Sequence, residues 1–270
     1  MNRKQLIQQI NKKKSYLCVG LDTDITKIPP HLLKYKNPVL EFNKQIIDAT
    51  HDVCVAYKPN IAFYELYGAK GWETLEKTVN HIPANLFKIA DAKRGDIGNT
   101  SAMYAKAFLE NMPFDSITIA PYMGEDSIKP FLEIKNKWVI ILGLTSNKGA
   151  QDFQFLKSGK KPLYQNVMEK CMKYGTPENT MFVIGATKEK YFESIRKFCP
   201  DNFFLVPGVG AQGGDLKQLS KYGMNKDCGL LVNATRSIIY ASNGKDFAEK
   251  AREEALRMQQ EMAKYLKLFR

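Results

Sequence analysis

Eight short apolar segments alternate with stretches of helical periodicity, and this alternation restricts the fold more than any other feature of the chain. The apolar segments are 16–22, 53–59, the run that opens at Leu86, 116–120, 138–144, 181–186, 203–207 and 230–234. A strand covered on both faces reads as a continuous apolar run, and strands separated by helices read as a parallel α/β sheet. No Gly-x-Gly-x-x-Gly turn follows the first segment, which disfavours an open dinucleotide-binding sheet and favours a closed (β/α)8 barrel, the TIM barrel. The chain has 270 residues, about what one such barrel needs, and shows neither an internal repeat nor a linker. Residues 1–270 are therefore expected to form a single α/β barrel domain. A short leading helix over 2–13 precedes it, with helices predicted over 38–51, 71–82, 100–112 and 245–269.

Composition narrows the function class. No apolar run approaches the roughly 18 residues of a membrane span, and 1–14 is polar and basic without the apolar core of a signal peptide, so a cytoplasmic protein with no membrane partner is expected. The five cysteines, Cys18, Cys54, Cys171, Cys199 and Cys228, are odd in number and never form a C-x-x-C pair. That argues against a disulfide framework and against a thiolate metal site. His31, His51 and His81 stand apart rather than at ligand spacing, so no metal is expected. The net charge of +12 invites a nucleic-acid reading. Its lysines fall in scattered short clusters (12–14, 157–161, 264–270) without a nucleic-acid motif, so a solvated basic face that speeds capture of a small anionic substrate is the better reading.

The stretch 86–100, LFKIADAKRGDIGNT, concentrates the chemistry. Asp91 and Lys93 are two residues apart, so a regular strand projects both from one side, about 7 Å apart, with Asp96 one turn later. A surface ion-pair cluster is the plain alternative. Against it stands position: parallel barrels place their chemistry at the C-terminal strand ends, where Asp22, Lys58, Asp91, Lys93, Asp96, Ser146, Gln212 and Arg236 all fall. Between the seventh strand and its helix, VPGVGAQGGDL places four glycines, which let backbone N–H groups approach an anion and add the positive terminus of the helix. Arg236 stands after the eighth strand, where a guanidinium can grip phosphate oxygens bidentately. A phosphorylated small molecule is implied. The connection 145–161 is unusually long and is expected to be a lid.

Asp91-Ala92-Lys93-Arg94-Gly95-Asp96-Ile97 with Thr100 resembles the core motif of the orotidine 5'-phosphate decarboxylases, in the longer, bacterial-type branch. Related phosphosugar decarboxylases share its Asp-x-Lys-x-x-Asp part. The resemblance extends over nearly the whole chain. Pro121-Tyr122-Met123-Gly124 and Asp152-Phe153-Gln154 are similar to further marks of that branch. It implies that Lys93, Asp91, Asp96 and Lys58 are catalytic and that Asp22 and Lys58 contact a ribose. It further implies that Ser146, within Thr145-Ser146-Asn147, contacts the pyrimidine, and that the loop of Pro207 and Gln212 holds the phosphate with Arg236. Thr235 would add a backbone contact, although Asn233-Ala234-Thr235 departs from the small residues found there in the family. Asp96 and Thr100 correspond to residues donated across a homodimer interface.

The implied reaction converts orotidine 5'-phosphate to UMP without a cofactor. Loss of CO₂ from C6 leaves an electron pair with no adjacent carbonyl to accept it, so a cation, Lys93, must stabilise the carbanion and protonate it. Asp91 would hold Lys93 charged and oriented. A phosphosugar decarboxylase using a divalent metal, and a non-enzymatic nucleic-acid binder, are the alternatives from other classes.

Overall fold

A computed structural model describes residues 1–209 and 214–270. Five parallel strands come first: β1 (Leu17–Gly20), β2 (Ala56–Lys58), β3 (Phe87–Arg94), β4 (Ser116–Ile119) and β5 (Trp138–Leu144). A small antiparallel hairpin follows, β6 (Lys157–Ser158) with β7 (Lys161–Pro162), and then β8 (Thr180–Ile184), β9 (Phe203–Pro207) and β10 (Leu230–Ala234). Among the described residues the eight strands other than the hairpin close a barrel, in which β10 returns to pair with β1 through Leu17↔Val232 and Val19↔Ala234. The expected (β/α)8 barrel is the observed architecture.

The apolar runs became strands because helices cover them outside and each other's side chains fill the interior. β5, β9 and β10 have the bounds read from the sequence. β1 and β2 are shorter than their apolar runs: the ladder stops at Gly20 and Lys58, and Asp22 and Pro59 lie beyond it. Proline has no N–H to continue the ladder. The leading helix spans Arg3–Lys13, started by a capping box in which Asn2 and Gln5 exchange side-chain and backbone bonds. Two helices that periodicity did not mark are present: Glu125–Leu132, which contains Pro130, and Leu163–Cys171. The proline reads as a breaker, yet it sits near the end of a helix whose Ser127, Ile128 and Phe131 are buried.

Aromatic rings seal the N-terminal end of the barrel. Phe87 and Phe203 meet Trp138 edge-on, at 5.9 and 6.3 Å between centroids. Trp138 Nε1 donates to the Met1 carbonyl at 2.9 Å, and the Arg3 guanidinium lies 5.1 Å from the Phe203 ring while donating to the Pro177 and Asp201 carbonyls. Truncating buried aromatics of this kind typically costs about 3–5 kcal/mol, so this floor holds much of the barrel together. With this end filled, access to the interior is from the C-terminal strand ends.

The long connection is not slack. It contains a helical turn (Ala150–Phe153) and the β6–β7 hairpin, and Phe155 packs on Tyr164 and Tyr191. Closure of a lid here would move a folded unit. All five cysteines are buried and free. No helix among the described residues is long and apolar enough to cross a membrane.

Candidate active site

Three adjacent strands deliver alternating charges to the open end. Lys58 Nζ, at the end of β2, lies 2.7 Å from Asp91 Oδ2 and 3.7 Å from Asp22 Oδ1, and Lys93 Nζ lies 2.6 Å from Asp91 Oδ1. The order is Asp22, Lys58, Asp91, Lys93. Asp22 extends the array at its Lys58 end, whereas Asp96, expected beyond Lys93, does not pair with Lys93 within the subunit. Asp96 instead points its carboxylate at the N–H of Ile97 (2.8 Å) and forms no ion pair among the described residues. Thr100 is exposed on the following helix (Gly98–Lys106).

Burial and pairing set the protonation states. Burial alone would raise the Asp91 carboxyl, but the Lys58 and Lys93 ammonium groups overcome it and hold the group well below the usual carboxylate range. Burial would likewise lower Lys58, which is 3% exposed, yet Asp22 and Asp91 raise it above the ordinary lysine value. For Asp22 burial prevails over the more distant Lys58, and its carboxyl is raised. Its Oδ1 is buried without a hydrogen-bond partner, because 3.7 Å to Lys58 is beyond hydrogen-bond reach.

A cavity of about 390 Å³ adjoins this array, lined by Asp22, Lys58, Asp91, Pro207, Thr235 and Arg236, with Asn233 and Tyr240. Two roomier hollows, of about 440 and 520 Å³, lie on the outer helices and contain none of these charges. The smaller one is where an anion and a sugar would find partners. Gly20 is required here: a Cβ on it would stand 1.9 Å from Thr235 Oγ1. Ser146 lies past β5 and is not in the cavity wall. Its backbone crosses so close to β8 that a Cβ on Gly185 would come within 2.6 Å of the Ser146 nitrogen. Gln154 braces the turn before it, accepting from Thr145 N–H at 2.8 Å and donating to Thr145 Oγ1 at 2.7 Å.

Two expectations are corrected. Lys93 does not follow from a regular strand: its φ is +49°, β3 shifts register against β4 between Ala90 and Arg94, and the side chain is 50% exposed rather than turned inward. The helix after β9, Leu216–Gly223, does not offer a free first turn to an anion either, because the Asp215 carboxylate accepts from the N–H groups of Lys217 and Gln218. Gln212 lies outside the described residues.

Over residues 15–251 the sequence matches the Orotidine 5'-phosphate decarboxylase / HUMPS family. The chain belongs to that family. The orotidine 5'-phosphate decarboxylase of Flavobacterium johnsoniae is 61% identical over 269 residues, which are 98% of this chain and 98% of the relative. Among solved structures, the OMP decarboxylase of Leishmania donovani superposes with a TM-score of 0.82 at 35% identity, over 96% of this chain and 100% of that one. The UMP synthase of the same organism superposes equally well, at 0.82 and 37% identity, but this chain covers 94% of itself and only 56% of that longer chain.

In this family member, three residues near the site escaped the sequence reading. Tyr240 lines the cavity, and its hydroxyl accepts from Asp24 N–H at 2.8 Å and donates to the Asp22 carbonyl at 3.2 Å. Burial pushes that hydroxyl up to about 12, so it stays a donor. Asn233 lines the same wall, and Thr118 touches both Asp91 and Lys93. Nothing in an apolar strand such as SITIA marks its one threonine as special.

Proposed function

We propose that this chain is a cytoplasmic, cofactor-free orotidine 5'-phosphate decarboxylase that forms UMP in de novo pyrimidine biosynthesis, acting as a homodimer. The observation that carries the reading is the alternating Asp22–Lys58–Asp91–Lys93 array beside a cavity that also exposes Arg236. When the bond from C6 to the carboxylate breaks, the electron pair stays on C6. The Lys93 ammonium stabilises that pair and supplies the proton that replaces CO₂. Asp91 keeps Lys93 charged and aimed. Lys58 neutralises Asp91 from below and, with Asp22, meets the ribose; a ribose hydroxyl is the donor that the buried Asp22 Oδ1 lacks.

Arg236 binds the 5'-phosphate with Gln212, Pro207 and the backbone at Thr235, and Ser146 contacts the pyrimidine. Asp96 and Thr100 serve the other subunit's ribose. The exposure of Thr100 and the lack of an ion pair at the half-buried Asp96 among the described residues support this, as do the exposed apolar side chains of Ile97 and Met103 beside them and of Tyr122 and Met123 on the adjoining turn. Binding energy taken from the phosphate, far from C6, can be expressed in the transition state.

The reaction is tested by loss of orotidine 5'-phosphate absorbance with and without a chelator. The lysine array supports a metal-free mechanism, because Lys93 beside Asp91 stands where a cation is needed. Activity should therefore be unchanged by EDTA. Activity lost to EDTA and restored by magnesium would reject the reading in favour of metal-dependent phosphosugar chemistry.

Arg236→Ala should lower kcat/KM by about 10- to 100-fold, from the roughly 1.5–3 kcal/mol of a hydrogen bond to a charged group. Orotidine, which lacks the phosphate, should be turned over equally by both proteins. An equal proportional loss on orotidine would remove Arg236 from the phosphate site.

A further inference from the structure

The irregular turn of β3 at Lys93 has a specific counterpart on β4. The pairs Ala90↔Ile117 and Arg94↔Ile119 enclose three residues of β3, namely Asp91, Ala92 and Lys93, opposite one residue of β4, Thr118. Such bulges re-aim side chains and leave ladder groups unpaired. Here the Lys93 N–H would be left without its ladder acceptor, in a left-handed conformation that non-glycine residues rarely adopt. Thr118 Oγ1 supplies the acceptor, at 2.9 Å from Lys93 N. Because that oxygen accepts from the backbone, its single proton is free to point elsewhere, and it lies 3.1 Å from Asp91 Oδ1.

The geometry points to Thr118 as a positioning residue for the Asp91–Lys93 pair. One hydroxyl ties the backbone of the proton donor to the carboxylate that orients the donor's ammonium, so both ends of the Lys93 side chain are referred to the same buried point. Asp91 then accepts from three directions: Lys58 on Oδ2, and Lys93 and Thr118 on Oδ1. Its carboxylate cannot rotate without breaking one of them. The side chain of Lys93 is half exposed and long, with nothing else described that fixes its backbone from β4. Thr118 itself is buried, at 1% exposure, so it acts on the substrate only through its neighbours. Downstream, Arg94 anchors the other side of the bulge by its pair with Glu65 and by stacking 5.4 Å from the Tyr104 ring.

This inference rests on the decarboxylase reading, in which Lys93 delivers the proton, and the test separates the two. Thr118→Val keeps the branched shape and removes the hydroxyl, whereas Thr118→Ser keeps the hydroxyl. The Val variant should lose about 10- to 100-fold in kcat, as expected when reacting groups drift by about 1 Å, with KM within roughly twofold of the parent. The Ser variant should retain most of kcat and unfold near the parent's temperature, whereas the Val variant, which leaves the Lys93 N–H unpaired, should stay folded but unfold a few degrees lower. Lys93→Ala is run beside them. If the parent does not decarboxylate orotidine 5'-phosphate, the decarboxylase reading fails; if it does and Lys93→Ala keeps that activity, the proton-donor role of Lys93 fails and the Thr118 assignment falls with it. If Lys93→Ala is inactive while Thr118→Val matches the parent, or if Val and Ser lose kcat equally, only the Thr118 assignment is overturned. Should Thr118→Val fail to fold, Thr118→Ala against Thr118→Ser makes the same comparison at matched size; an Ala variant that unfolds while Ser folds would mark a purely structural hydroxyl and also overturn it.

Discussion

A refolded equimolar mixture of Lys93→Ala and Asp96→Ala chains is expected to regain activity that neither chain has alone. On the proposed shared-site dimer each homodimer should fall by at least about 10³-fold, since one would lack the proton donor and the other the carboxylate donated across the interface. In a hybrid dimer one site carries both lesions and the other carries none. Under random pairing about half the dimers are hybrid, so roughly a quarter of all sites should be intact, given C2 pairing and free exchange. The motivation is geometric: Asp96 and Thr100 follow closely on the Asp91–Lys93 pair in sequence, yet Asp96 forms no ion pair among the described residues of its own subunit and Thr100 is exposed. Activity is measured after mixing, with hybrid dimers counted by mass. An inactive mixture that contains hybrids would show that Asp96 serves its own subunit.

Lys58→Met should be the most destabilising single change in the array. It removes the one buried cation between Asp22 and Asp91, and breaking a buried pair from one side costs about 3–5 kcal/mol. The pH dependence has a definite sign. In the parent protein the depressed Asp91 carboxyl contributes stability that is complete above its unfolded pKa of about 3.9 and is lost as pH falls toward the folded value. The raised Lys58 contributes below its unfolded pKa of about 10.4 and loses that contribution as pH rises through the folded value. The pair is thus fully engaged between these limits. Without Lys58 the two carboxylates lose the cation they share, with Lys93 still on Asp91, so their pKa values rise and the folded variant takes up protons as pH falls. Urea unfolding should show a large deficit at pH 7.5 that shrinks at pH 5. A deficit of equal size at both would refute the electrostatic account.

Most of the barrel was legible because its strands are apolar on both faces, which writes them into the sequence as uninterrupted runs. The helix containing Pro130 was not legible, since its stability comes from Ser127, Ile128 and Phe131 being buried against neighbours, and a local rule sees only the proline. Of the site, Asp22, Lys58 and Asp91 were found because polar residues that end apolar strands must come out at the mouth. Tyr240 was missed for the opposite reason. Its partner Asp22 is 218 positions away, and only closure of β10 onto β1 brings the two together.

The sequence by itself determined the strand runs, and with them the barrel and the end at which its charges emerge, because apolar periodicity is a local property of the chain. It determined the family through a motif whose residues are contiguous. Only the tertiary structure decided which charges pair. The period of a regular strand placed Lys93 beside Asp91 and extended the array to Asp96, but the bulge opposite Thr118 breaks that period. Lys93 turns through a left-handed residue, and within the subunit Asp22 extends the array at its Lys58 end while Asp96 forms no ion pair among the described residues. A bulge arises from register between two strands, a relation between β3 and β4 that neither segment contains alone.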